Sequence, residues 1–267
     1  MRIGVVGAGG KMGAEVCRTV AAHADLELVA AVDPAHAGAA VEALTGAPAP
    51  GLVVSGDLAA LVEAGAEVVV DFTRLDASRH ALAFCADAGI HAVVGTTGFT
   101  DADYADLHRR FAGPPNCVVA ANFAIGAVLM MRFAELAAPW FDGAEIIELH
   151  HDGKLDAPSG TARVTAERMA AARRAAGAGP FPPDRTVTTA IESARGGRGP
   201  ADIRIHSVRL PGLVAHQEVI LGAVGQSLTI RHDSYDRTSF MDGVVLAVRS
   251  VSDRPGVTLG LEPLLGL

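Results

Sequence analysis

At 267 residues the chain has room for one large domain or two modest ones, each with a core of its own. Half of it is hydrophobic and 19% is charged, which excludes wholesale disorder. The formal net charge of −8 comes without a basic stripe, which argues against nucleic-acid binding as the main activity.

Short β-branched runs alternate with Ala-rich stretches as far as about Ala121. Ile3–Val6, Leu26–Val32, Val68–Asp71, His91–Val94 and Cys117–Ala120 read as strands. Ala14–Ala22, Ala77–Asp87 and Ala102–Phe111 read as the helices between them. Apolar strands of this length, separated by helices, indicate a parallel sheet covered on both faces. A glycine-rich turn begins at Gly7, leaving no room for a secretory leader and predicting a cytoplasmic protein.

The apolar stretch from Phe123 to Phe141 is broken by Arg132 and Glu135, so a buried helix over Ile125–Ala138 is expected rather than a membrane span. Met130 and Met131 belong to its core side. A strand Ala144–His150 and a helix from Ser159 towards Ala176 follow. Pro180–Pro183 and Gly196–Pro200 read as loops. Ile203–Arg209, Val214–Leu221 and Ser227–Arg231 then succeed one another as strands without helices, favouring an antiparallel or mixed sheet. A last helix, Phe240–Val251, would return the chain to the first domain. Cys17, Cys85 and Cys117 are few and far apart, so no disulfide framework and no zinc or other metal site is expected.

Two segments carry chemistry. The first, Gly7-Ala8-Gly9-Gly10-Lys11-Met12-Gly13, follows the first strand and opens the first helix. Its glycines allow a tight turn and close backbone approach to a pyrophosphate, and the helix N-terminus offers unpaired N–H groups. Asp33 ends the second strand, about twenty residues on, where a carboxylate hydrogen-bonds ribose hydroxyls and repels the 2′-phosphate of NADP. That favours NADH over NADPH, although Lys11 and His36 remain as cations able to meet a phosphate. A plain turn or capping role for Asp33 is the other reading. Asp71-Phe72-Thr73 and Gly95-Thr96-Thr97-Gly98 stand where further strands of such a sheet end, where a nicotinamide ring could approach the backbone.

The second segment runs Glu148-Leu149-His150-His151-Asp152-Gly153-Lys154-Leu155-Asp156-Ala157-Pro158-Ser159-Gly160-Thr161. Pro158 suits a helix entry, which predicts free N–H groups on Ser159, Gly160 and Thr161 to hold a carboxylate. Lys154 and the histidines add positive charge for a small dicarboxylate, and either residue type can pass a proton. Adjacent histidines at a strand end and a Pro-Ser-Gly-Thr helix start also have structural uses, so spacing leaves both readings open. His206, His216 and His232, with Glu218 and Asp233, read as structural members of the late strands.

Taken together these motifs resemble the 4-hydroxy-tetrahydrodipicolinate (dihydrodipicolinate) reductase family over nearly the whole chain. Besides the two segments above, the likeness includes Ala121-Asn122-Phe123-Ala124-Ile125-Gly126, Leu213-Val214-Ala215-His216-Gln217-Glu218 and Arg231-His232-Asp233-Ser234-Tyr235-Asp236-Arg237. The His-His-x-x-Lys element followed by Asp-Ala-Pro-Ser-Gly-Thr is its most specific part. The resemblance implies an α/β fold: a Rossmann-type parallel-sheet domain (1–122 and 240–267), and an α+β substrate-binding and tetramerisation domain with an open mixed sheet (123–239). It implies catalytic roles for His150 and Lys154, and substrate contacts from His151, Ser159, Gly160 and Thr161. Gly7, Ala8, Gly9, Gly10, Lys11, Met12, Asp33, Gly95, Thr96, Thr97, Ala120, Ala121, Asn122 and Phe123 would contact the nicotinamide cofactor.

It implies a homotetramer, with no nucleic-acid or membrane partner. Gly153 stands where many relatives carry a basic residue, and the segment 34–56 is longer than in some. Two other identities share parts of this pattern: a different Rossmann amino-acid dehydrogenase, and a sensor that binds the cofactor without turnover. Retention of both His150 and Lys154 speaks against the second, because a pure binder has no use for a proton donor.

Overall fold

The structure, a computed structural model, describes residues 1–267. Its contacts divide the chain into two compact units, Met1–Ile125 with Arg237–Leu267, and Gly126–Asp236.

In the first unit β1 (Arg2–Val6) pairs in parallel with β2 (Glu27–Val32) on one side and β3 (Val68–Asp71) on the other. The sheet continues in parallel through β4 (His91–Val94) and β5 (Cys117–Val119). α1 (Lys11–Ala22), α4 (Leu75–Ala88) and α5 (Asp101–Arg110) link these strands, with the short α2 (Val41–Thr45) and α3 (Ala59–Glu63) between β2 and β3. All of β3 and β5 is buried, as strands covered on both faces must be. The chain winds out from β1 to β2 and then returns to β3 on the far side. That reversal makes the carboxyl ends of β1 and β3 the expected ligand crevice of an open parallel sheet. Helix α1 begins three residues before the sequence pattern indicates, because Lys11, Met12 and Gly13 lack the apolar period but are already helical.

The second unit is built on β6 (Gly143–His150), the two-residue β7 (Gly197–Arg198), β8 (Arg204–Arg209), β9 (Ala215–Ala223) and β10 (Gln226–Ser234). Their order is β10-β9-β6-β8-β7, with β6 and β8 parallel and the other pairs antiparallel, so the sheet is mixed. β7 lies inside the stretch 196–200, which composition alone assigns to a loop. Only pairing with β8 makes it a strand.

α6 (Ile125–Ala137) buries Met130 and Met131, and α7 (Gly160–Ala175) buries Ala162, Ala166, Met169 and Ala170. The Arg173 side chain near the end of α7 is buried. Its guanidinium donates to the carbonyls of Ala138, Phe141 and Gly179 at 2.7–2.8 Å and lies 3.8 Å from the Phe181 ring centroid.

The C-terminal segment of the first unit holds α8 (Met241–Ser250), β11 (Val257–Leu259) and α9 (Glu262–Leu265). β11 pairs in parallel with β5 and becomes the edge of the six-stranded sheet, order β11-β5-β4-β3-β1-β2. The three cysteines are buried and free, and burial pushes the Cys17 and Cys85 thiols up to about 12, so neither is a reactive thiolate. No helix is long and apolar enough to cross a membrane.

Candidate active site

The crevice end of the first unit is shaped by glycines. Gly7 has φ +81°, a left-handed turn that lets its N–H and that of Ala8 reach back to the Val32 carbonyl. A Cβ on Gly13 would lie 2.0 Å from the Gly7 carbonyl oxygen, so α1 can approach β1 this closely only with glycine there. The N-cap of α1 is Gly10, with no side-chain cap and no acidic residue in the first turn. By contrast, Thr100 and Asp103 form a reciprocal capping box at the start of α5. The uncapped helix leaves the Lys11, Met12 and Gly13 N–H groups for an anion.

Asp33 takes the capping role and also ties β2 to the glycine turn. One oxygen accepts from Ala35 N–H at 3.0 Å and caps a short helical turn, and the other accepts from Gly9 N–H at 2.9 Å, inside the glycine turn. His36 Nδ1 is 3.2 Å from the first oxygen but lacks hydrogen-bond alignment, and is buried without a partner. These residues line a cleft of about 910 Å³ together with Phe72, Thr73 and Arg74. A dinucleotide fits this donor set: uncapped N–H groups for the pyrophosphate, the Asp33 carboxylate for a ribose, and an unpartnered ring nitrogen on the cleft wall.

The loops after β3 and β4 interlock. Asp71 is buried, and one of its oxygens accepts from Thr73 N–H at 2.8 Å. Burial pushes its carboxyl above the usual range, against hydrogen bonding from Thr73 that pulls it down. Thr96 Oγ1 donates to the Thr73 carbonyl at 3.0 Å, and Gly95 N–H donates to the Asp71 carbonyl at 2.9 Å. The Phe72 ring occupies the space a Cβ on Gly95 would need, and packs 5.5 Å from Phe123. Ala120 N–H pairs with the Val94 carbonyl, and Asn122 Oδ1 accepts from Ala124 N–H. Thr97 and Ala121 are exposed. The expected cofactor residues of these loops thus converge on one end of the sheet.

In the second unit His150 ends β6. Its Nδ1 is 2.5 Å from Glu148 Oε2, and the Glu148 side chain is wholly buried. Arg209, at the end of β8, grips the same carboxylate with both Nη atoms, at 2.9 and 2.8 Å. Burial pushes the Glu148 carboxyl up, but hydrogen bonds from Arg209, Ser207 and His150 outweigh it and hold the group below its usual range. Burial also lowers His150, with the charges of Lys154 and Arg209 adding to that, against the Glu148 interaction that raises it. Lys154 Nζ pairs with Asp156 at 2.8 Å, and His151 is exposed.

Pro158 stands at the entry to α7, one residue before the Ser159 N-cap, and the entry departs from expectation in one respect. The Ser159 N–H, expected to be free, donates to Glu148 Oε1 at 3.2 Å, while Ser159 Oγ accepts from Ala162 N–H. Of the four N–H groups a helix start leaves unpaired, two are thereby taken, and those of Gly160 and Thr161 remain. Sequence reasoning also missed Glu148 and Arg209. Glu148 had a faint signal: a carboxylate within an apolar strand, two residues before His150 and so on the same face. Arg209 had none, being 61 residues away from Glu148 in sequence.

An uncapped helix at a parallel-sheet switch point, joined in the same chain to a buffered imidazole and an amine, defines a nicotinamide-dinucleotide oxidoreductase of the Rossmann type. Comparison with known proteins narrows the class. Residues 1–123 match the family model for the dihydrodipicolinate reductase N-terminus, and residues 126–265 that for its C-terminus. Proteins named 4-hydroxy-tetrahydrodipicolinate reductase from Nocardia farcinica and Cutibacterium acnes are 51% and 50% identical, each match covering 100% of this chain and 99% of the relative. A solved structure described as dipicolinate-bound dihydrodipicolinate reductase from Paenisporosarcina sp. superposes with a TM-score of 0.84 at 40% identity, covering 98% of both chains. A probable dehydrogenase from Thermotoga maritima, 12% identical with a TM-score of 0.58, shares the fold alone. The chain belongs to the dihydrodipicolinate reductase family.

Proposed function

We propose that this protein reduces 4-hydroxy-tetrahydrodipicolinate to tetrahydrodipicolinate in lysine and diaminopimelate biosynthesis. The observation that carries the reading is the second unit's cluster. It holds an oriented imidazole (His150), an amine whose charge is felt at that imidazole (Lys154), and two unclaimed helix N–H groups (Gly160, Thr161). Residues 123–239 form the substrate-binding domain in this reading, and residues 1–122 with 240–267 hold the cofactor.

The Gly160 and Thr161 N–H groups take one substrate carboxylate, and Lys154 with His151 takes the other. Ser159 contributes by capping the helix rather than through its own N–H. When bound, the reduced nicotinamide supplies a hydride to the ring carbon conjugated with the C=N bond, the 4-hydroxyl leaving as water before or during that step. His150 or Lys154 delivers the balancing proton, so one hydride and one proton are gained and one water is lost. Gly7 to Met12, Asp33, Gly95 to Thr97 and Ala120 to Phe123 are the chain's contacts to the dinucleotide.

NADH is the favoured donor, because Asp33 places a carboxylate in the glycine turn where a ribose 2′-phosphate would be repelled. Asp33→Ala is expected to raise kcat/KM for NADPH relative to NADH by about tenfold, the size of one weakened charge repulsion. An unchanged ratio in steady-state kinetics would assign that discrimination to other groups.

Assembly is proposed as a homotetramer through the β6–β8–β9 face that carries Ile147, Leu149, Val208 and Ile220, all incompletely buried in the single chain. Sedimentation or mass photometry should give four times the 27.3 kDa chain mass, and a monomer would refute the assembly.

The decisive assay couples the protein to a synthase that condenses pyruvate with aspartate semialdehyde, following NADH and NADPH absorbance separately. Oxidation that depends on the synthase product supports the reading. Cofactor binding without oxidation would leave a sensor in its place.

A further inference from the structure

A histidine that moves a proton needs its ring aimed and its charge set. For His150 both come from inside the second unit, from the buried carboxylate two residues earlier. Glu148 divides its two oxygens between the two halves of the site. Oε2 faces His150 Nδ1 at 2.5 Å, and Oε1 accepts from the Ser159 N–H at 3.2 Å, at the entry to α7. Arg209 braces the same carboxylate from β8, and its Nη2 also donates to the Asp156 carbonyl at 2.7 Å, in the loop whose side chain pairs with Lys154. Glu148 and Arg209 together thus connect the proton carrier, the helix entry and the lysine loop.

We infer that Glu148, braced by Arg209, is the positioning residue of the site. It fixes the tautomer and aim of His150 with one oxygen and the start of the anion-binding helix with the other. The inference rests on the proposed proton role of His150.

The physical consequences are specific. With Nδ1–H donated to Glu148, the neutral ring carries its lone pair on Nε2, and the imidazolium presents its second proton from that same atom. Only one nitrogen can then serve the substrate. Three groups set the charge balance at the ring. Glu148 on its own strand favours the imidazolium, while Arg209 from β8 and Lys154 from the loop oppose it. Arg209 thereby keeps the carboxylate from pinning the proton on His150. A carboxylate alone would hold the imidazolium too firmly for transfer, and no carboxylate would leave the ring free to turn.

The test is nuclear magnetic resonance of His150 in the full chain without substrate, alongside kinetics. In the wild type the neutral ring should be protonated at Nδ1. Glu148→Gln should lower the His150 titration midpoint, lower kcat/KM by about 10–100-fold and raise KM as the α7 entry loosens, with cofactor affinity unchanged. A wild-type ring protonated at Nε2 when neutral overturns the inference, whether or not the variant folds. So does E148Q with an unaltered midpoint, or with lost thermal stability but full activity per folded molecule. The ring measurements need no turnover. An inactive wild type with the expected tautomer would therefore sink the reductase reading while leaving the role of Glu148 standing.

Discussion

Lys154→Ala should lower kcat by about 10²–10⁴-fold, the usual contribution of a positioned proton donor, while the cofactor dissociation constant stays within about twofold. Lys154 lies in the second unit, and the groups proposed to hold the dinucleotide lie in the first. KM should also rise, because the ammonium is proposed to hold a substrate carboxylate. A variant that keeps wild-type kcat would remove Lys154 from the chemistry. One that loses cofactor affinity in step with turnover would point to a fold defect. The pH profile separates the two candidate donors. His150 is held below its ordinary value of 6.5, chiefly by burial. If its imidazolium is the required acid in the free enzyme, kcat/KM falls as pH rises through a value under 6.5. A profile flat through that region leaves the proton to Lys154.

Gly13→Ala is the second large effect, and it tests the other unit. The new Cβ would stand 2.0 Å from the Gly7 carbonyl oxygen and 2.9 Å from the Ala8 Cα. Both neighbours are backbone, so relief requires α1 to move away from β1, taking its N–H groups out of place. Overpacking of this kind costs about 3 kcal/mol, and we expect a matching loss of stability in urea with a fall in cofactor affinity of more than about tenfold. Gly10→Ala is the control. Its Cβ would meet only the Gly7 oxygen, at 3.2 Å, on an exposed residue, so stability in urea should change little even though Gly10 is itself a proposed cofactor contact. Equal effects at the two positions would mean that any side chain in the turn is harmful, rather than the closeness of helix to strand.

The parts of the molecule legible in sequence are those whose signal is local. Val68–Asp71 and His91–Val94 each carry a three-residue apolar run, Val68–Val70 and Ala92–Val94, and both are strands over the four residues expected. The glycine turn and the Pro-Ser-Gly-Thr helix start were readable because backbone geometry restricts which residues such places accept. Other elements carry little signal of their own. β7 is two residues long and β11 three, and each is a strand only because a neighbour supplies its hydrogen bonds. Asp33 was open to two readings, ribose ligand or cap. It caps the turn with one oxygen and holds the Gly9 N–H with the other, a bond between segments that sequence does not show.

By itself the sequence determined the order of the principal strands and helices, the change from alternating strands and helices to consecutive strands, and which residue types stand at the strand ends. It also carried the family resemblance through the His-His-x-x-Lys segment. The tertiary structure decided the partnerships. The pairing of β6 with β8 sets His150 opposite Arg209, and so brings a guanidinium onto the carboxylate that aims the histidine. That same carboxylate takes the Ser159 N–H, leaving the helix entry with the Gly160 and Thr161 groups for its ligand. Hydrogen-bond partners distant in sequence are set by strand register, which depends on burying a whole face at once and leaves no mark on any single residue.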